Sequence, residues 1–174
     1  MSEGLLIARL ILGLGLASHG AQKLFGWFGG HGLEGTGGYF EKLGFRPGKR
    51  FALAAGLGEL GGGLLVALGF LGTIGPALVM AVMLTAMLTE HRGHGFFAMN
   101  NGVELPLLYA TGALFVAFGG PGVVSLDAIL GLAWLWTSTY AWIAIGVAVV
   151  LAAGNLAMRR PASPAEPAGG TLIR

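Results

Sequence analysis

The sequence predicts an all-α polytopic membrane protein, a four-helix bundle with a fifth, C-terminal transmembrane helix. Three observations carry this. Hydrophobic residues make up 55% of 174 positions and charged residues only 10%, against about 25% charged in an average soluble domain. The apolar residues fall in runs long enough to span a bilayer, separated by glycine-rich or charged connectors. The 33 glycines, without a three-residue period, suit helices that pack closely in lipid rather than collagen. The ten Lys and Arg lie scattered between apolar blocks, not along the basic face of a nucleic-acid-binding protein, so no nucleic-acid partner is expected. With no cysteine, the chain has no disulfide, no thiolate iron–sulfur ligation and no Cys-x-x-Cys exchange chemistry.

Residues 5–28 read as the first span: 24 residues rise ~36 Å as a helix, enough for a hydrocarbon core of about 30 Å. Glu3 in place of a positive cluster, and the absence of a cleavage site after the apolar run, argue against a removed signal peptide. Residues 29–38, with six glycines, read as a loop, followed by a short interfacial turn at residues 39–43 that Arg46-Pro47 ends. Residues 51–71 form the second span and residues 74–90 the third, with Pro76 tolerated in a first helical turn. A polar connector, residues 91–101, leads to the fourth span, residues 102–119. Ser125 can cap a further helix, but one running over residues 125–158 would be 34 residues and ~51 Å, too long for the hydrocarbon. Trp134, Trp136, Tyr140 and Trp142 resemble an interfacial aromatic belt, so residues 126–135 are expected along the surface and residues 140–156 through the bilayer. The domains are therefore a four-helix membrane domain (residues 1–130), an interfacial segment with the fifth span (residues 131–158) and a disordered tail (residues 159–174).

With five spans, Lys42, Arg46, Lys49, Arg50, Arg92, Arg159, Arg160 and Arg174 share one side, and only Arg9 lies near a span end on the other. The positive-inside rule then puts the N-terminus outside and the loop at residues 29–50 in the cytoplasm.

Charged residues within the spans are costly, by about 2.5–3.5 kcal/mol each on insertion scales, and usually face a bundle interior or wet cavity. His19, Gln22 and Lys23, spaced by three and four, share one helix face in the inner half of the first span. Glu59 lies eight residues after Phe51, ~12 Å into the second span. Glu90 and His91 end the third span; Asn100, Asn101 and Glu104 sit at the start of the fourth. Four helices thus bring polar residues to one depth, and Lys23 is expected to pair with Glu59 or Glu104. Two readings are open: a buried network that only fixes helix register, or a cavity that binds a polar headgroup. The number of polar groups favours the cavity.

Gly56-Leu57-Gly58-Glu59-Leu60-Gly61 matches a dinucleotide-binding pattern, but no strand precedes it and it lies inside a span, so its glycines read as helix-packing positions. His91 and His94 beside Glu90 lack a fixed third ligand, and no metal site is expected. A lone His19–His91 pair is thin ground for a haem.

Four motifs in order, Ser18-His19-Gly20-Ala21-Gln22-Lys23-Leu24-Phe25-Gly26-Trp27-Phe28-Gly29-Gly30, Gly58-Glu59-Leu60-Gly61-Gly62, Asn100-Asn101-Gly102-Val103-Glu104-Leu105-Pro106-Leu107 and Ser125-Leu126-Asp127, make the chain resemble the DoxX family over roughly residues 5–130. The segment at residues 140–158 departs from that family's usual four-helix pattern. The resemblance implies a bacterial or archaeal inner-membrane protein. Its relatives include the membrane subunit of thiosulfate:quinone oxidoreductase, and others are linked to membrane oxidoreductase complexes. The leading expectation is a quinone-interacting subunit. His19 and Lys23 would donate hydrogen bonds to the headgroup, Glu59 or Glu104 would supply protons, and Asn100 or Asn101 would orient the ring, with Gln22, Glu90 and His91 beside them. Without thiols or a covalent cofactor-attachment motif in the chain, electrons would come from a partner oxidoreductase subunit; a homo-oligomer is also compatible. Two other expectations are a small-anion or metabolite carrier with a carboxylate proton relay and a non-catalytic membrane scaffold.

Overall fold

The computed structural model describes residues 2–160, and among these it forms seven α-helices and no strand: α1 (Ser2–Phe25), α2 (Gly32–Lys42), α3 (Gly48–Leu68), α4 (Ile74–Leu88), α5 (Glu104–Gly119), α6 (Leu126–Ile129) and α7 (Ser138–Ala157). The long apolar runs become α1, α3, α4, α5 and α7, each within a few residues of its expected ends. Ser125 accepts a hydrogen bond from the Ala128 amide and starts α6. Thr137 caps α7 by accepting from the Tyr140 amide. The expected tail lies outside the described residues except for Arg159 and Arg160.

One expectation is corrected. Residues 32–38 are not loop but the first two turns of α2. Glycine is a poor helix former, and packing overrides that propensity here. A Cβ on Gly48 would overlap the Gly37 carbonyl, and one on Gly37 would come within 3.0 Å of the Lys49 amide nitrogen. Small residues thus let α2 lie directly against the start of α3.

The same device joins α1 to α3. A Cβ on Gly20 would overlap the Leu60 amide nitrogen, and one on Gly63 would sit 2.5 Å from the Gly13 carbonyl. The two backbones touch, as small-residue crossings allow in lipid, where dispersion rather than hydrophobic expulsion drives association. A consequence for function is that neighbours of these glycines, Lys23 and Glu59, come within bonding reach. The four-helix core of α1, α3, α4 and α5 buries Leu16, Val66, Val79, Met83 and Val116. The fifth helix, α7, lies against α4 and α5 through Ala141, Ala144, Ala148 and Ala152, buried at intervals of three and four.

Large apolar side chains cover the outside: Ile11 is 71% and Val150 69% exposed. Such a surface is stable only in hydrocarbon. α1, α3 and α7 are long and apolar enough to cross a membrane, and the chain is a polytopic helical membrane protein. α4 is six residues shorter than α3 (15 against 21), about 9 Å of rise. The tight turn at residues 69–73 levels these helices at one end. The shortfall therefore appears at the other end, where the α4–α5 connector is recessed.

That recessed end also gathers α2, the α2–α3 loop and the end of α7. Arg159 donates through Nε to the Leu43 carbonyl at 2.6 Å, and the Arg160 amide donates to the Gly44 carbonyl at 2.7 Å. The end of α7 therefore lies beside the α2–α3 loop, as a fifth crossing requires.

Candidate functional site

The recess encloses a cavity of about 750 Å³ with walls from α1, α2, α3, α4, α5 and α7. Most of its lining is apolar, including Leu16, Phe45, Val82, Met83 and Leu151, with a few polar groups placed among them. A volume of ~300–1,000 Å³ with few convergent polar groups is the usual form of a small-molecule site.

Lys23 and Glu59 form its charged wall. Lys23 Nζ donates to both carboxylate oxygens of Glu59, at 2.7 and 2.6 Å. Glu59 is 3% exposed, while the Lys23 side chain keeps 24% of its surface. The Lys23 side chain therefore keeps some open surface, while the carboxylate it bonds is buried. One turn before Lys23, His19 meets the ring of Tyr109 edge-on at a centroid distance of 5.9 Å. His19 and Tyr109 both line the cavity beside the ion pair.

Glu90, His91 and Asn101 line the same cavity. The Asn101 carbonyl is 2.7 Å from His91 Nδ1, which holds the imidazole against the connector. Outside the spans, Tyr39 on α2 neighbours Glu90; burial first, and then this carboxylate, push the Tyr39 phenol above its usual range. Thr85 and Thr89 also line the space, but their hydroxyls donate to the Ala81 and Thr85 carbonyls of their own helix.

Of the residues singled out in the sequence, the fold brings His19, Lys23, Glu59, Glu90, His91 and Asn101 to one cavity. Three others are not among its lining residues. Gln22 donates from Nε2 to the Phe28 carbonyl at 3.1 Å and ties down the turn after α1. Glu104 turns back to accept from the Ala98 amide at 2.7 Å, steadying the connector, and it is Glu59 that pairs with Lys23. Asn100 is exposed. His31 and His94 are exposed as well, and no group of three His, Asp or Glu side chains among the described residues is placed to hold a metal ion.

Two lining residues escaped the sequence reading. Tyr109 lies inside the apolar run of α5. Asn155 comes from α7, and its Oδ1 is buried without a hydrogen-bond partner among the described residues. A polar residue interrupting an apolar helical run was the available signal for each.

Fold and cavity together define a polytopic helical membrane protein with a polar chamber set into an apolar bundle. The DoxX family model matches residues 4–92, just over half of the chain, and the chain belongs to the DoxX family. No curated protein and no solved structure matches it. The matched stretch contains His19, Lys23, Glu59, Glu90 and His91, whereas Asn101, Tyr109 and all of α7 lie beyond it.

Proposed function

We propose that the chamber receives the headgroup of a membrane-soluble quinone and that the chain serves as the membrane subunit of an oxidoreductase complex. The observation that carries this reading is the partly open Lys23 side chain, bonded to buried Glu59 and lining a mostly apolar volume. The donor set fits the ligand. A quinone ring is flat and apolar, with carbonyl oxygens that accept hydrogen bonds, and the chamber offers apolar walls with N–H or O–H groups on Lys23, His19 and Tyr109.

When bound, a quinone supplies the electron-accepting chemistry, taking up two electrons and two protons, with the electrons coming from a partner oxidoreductase subunit. The chain's own residues then have separate tasks. Lys23 orients one carbonyl oxygen and favours negative charge developing there. Glu59 holds the Lys23 ammonium in place and exchanges a proton with it through their direct hydrogen bond. His19 and Tyr109 donate to the ring's oxygens and exclude water from one side. Glu90, His91 and Asn101, at the connector, lie between the chamber and the aqueous phase and hand on protons.

The test is the double substitution Lys23→Met, Glu59→Gln. Replacing both members of a buried ion pair avoids the strongly destabilising case of one uncompensated buried charge, so the protein is expected to fold and to elute as wild type. Its affinity for a benzoquinone is expected to fall by about tenfold or more. Wild-type affinity in a folded double variant would refute the reading.

The chamber end carries Lys42, Arg46, Lys49, Arg50, Arg92, Arg159 and Arg160, and the positive-inside rule assigns it to the cytoplasm. Because the chain has no cysteine, a single introduced thiol reports its side cleanly. Arg46→Cys is expected to resist an impermeant maleimide applied to intact cells, and Val123→Cys to react. The reverse pattern would invert the topology.

A further inference from the structure

A second cavity, of about 380 Å³, lies between α4 and α7 on the membrane-facing side of the bundle. Its walls run from Tyr140 through Ile143 and Val147 to Leu151 on α7, facing Ile74 and Leu78 on α4. Tyr140 and Leu151 are eleven residues apart, ~16 Å of helical rise. Ile143 and Val147 are exposed, so the groove opens sideways to hydrocarbon. The groove and the polar chamber share two wall residues, Leu78 and Leu151. The apolar groove and the chamber that holds Lys23 and Glu59 therefore lie side by side, with Leu78 and Leu151 between them.

The way α7 is attached explains why a gap persists here. The fully buried residues of α7 are all alanines, with Ile145 and Trp142 adding contacts to the core and to Phe118, and single methyl groups leave space beside α4. Its ends are tied: Thr73 Oγ1 donates to the Tyr140 carbonyl at 3.2 Å, and Arg159 and Arg160 bond the α2–α3 loop at the other end. A helix clamped at both ends and shallowly packed between them leaves a slot beside it.

We propose that this slot holds the hydrocarbon chain of the ligand whose headgroup occupies the chamber, and that the ligand enters from the bilayer between α4 and α7. The occupant is thus a lipid-soluble molecule with one polar ring and one apolar chain. The inference rests on the headgroup reading, and adds to it the chain site and the entry route. It also gives a task to α7, an element beyond the family-matched residues: α7 supplies one wall of the slot and, through Leu151 and Asn155, part of the chamber's wall.

The experiment uses the full chain in lipid nanodiscs. Equilibrium binding is measured for a bare dimethoxy-methyl-benzoquinone and for the same ring carrying a decyl chain, each corrected by protein-free discs. Wild type is expected to bind the decyl compound about tenfold more tightly than the bare ring. Val147→Trp, which fills the slot without touching the chamber, is expected to remove that advantage and leave the bare ring's affinity unchanged. Ile143→Trp, a turn away on the same wall, is expected to do the same, and thermal unfolding checks that both variants fold. If folded Val147→Trp and Ile143→Trp keep the wild-type chain-length advantage, the slot is filled by ordinary bilayer lipid and the proposal fails, although the headgroup reading stands. If wild type binds the two compounds equally, the chain site also fails while the chamber survives. If neither compound binds wild type, the headgroup reading itself falls, and the chain site with it.

Discussion

The two ends of the bundle both bury ionisable side chains, and they use them in opposite ways. At the end away from the chamber, Arg9 is 1% exposed and Asp127 is fully buried. The Arg9 guanidinium donates to the Pro121 and Val124 carbonyls. Asp127 accepts from the Leu71 and Gly72 amides at 3.1 and 2.7 Å and from the Trp136 indole at 2.7 Å. These charges close loops: they satisfy backbone groups in the α3–α4 turn and the segment after α5, which helix ends leave unpaired. At the chamber end, Lys23 and Glu59 bond each other, and their neighbours border open volume. Buried charge alone therefore does not mark a site. What separates a lock from a site is whether the charged group mainly bonds backbone, as Arg9 does through both Nη atoms, or borders space that a ligand can fill.

The largest effect expected from this contrast is at Asp127. Asp127→Ala leaves two amides and an indole N–H without their acceptor, at roughly 1–3 kcal/mol for each group that water does not reach. A loss of about 3–5 kcal/mol in unfolding free energy is expected, with ligand affinity per folded molecule unchanged. A full-strength fold in this variant would break the distinction between the two ends. The smallest effect is at Asn155. Asn155→Leu removes an unpartnered buried oxygen, so unfolding free energy should hold or rise by up to about 1 kcal/mol. Quinone affinity is expected to fall about fivefold, equivalent to about 1 kcal/mol. Destabilisation without loss of affinity would make Asn155 a packing residue.

Much of the fold was legible because a membrane span is a matter of length and hydropathy. α1, α3, α4, α5 and α7 all followed from apolar runs. The helical state of Gly32–Lys42 did not, since four of its eleven residues are glycine and only the contact with Lys49 and Gly48 makes a helix there sensible. The pairing of Lys23 with Glu59 was legible as one of two choices, because charge inside a span demands a partner. Depth along a helix does not give direction around it, however. Glu104 begins α5 at a suitable depth yet turns to the Ala98 amide, and Gln22, next to Lys23 in sequence, points about 100° away from it and reaches the turn after its own helix. Arg9 looked like a lone outward charge; its bonds to Pro121 and Val124 join residues more than a hundred positions apart, which no local pattern announces.

The most direct test of the chamber is a density map of the full chain in nanodiscs loaded with the decyl benzoquinone. Headgroup binding in the chamber predicts a planar feature within hydrogen-bond distance of Lys23 Nζ, flanked by His19 and Tyr109. A chamber holding only water, with the ring bound elsewhere on the helices, would contradict it.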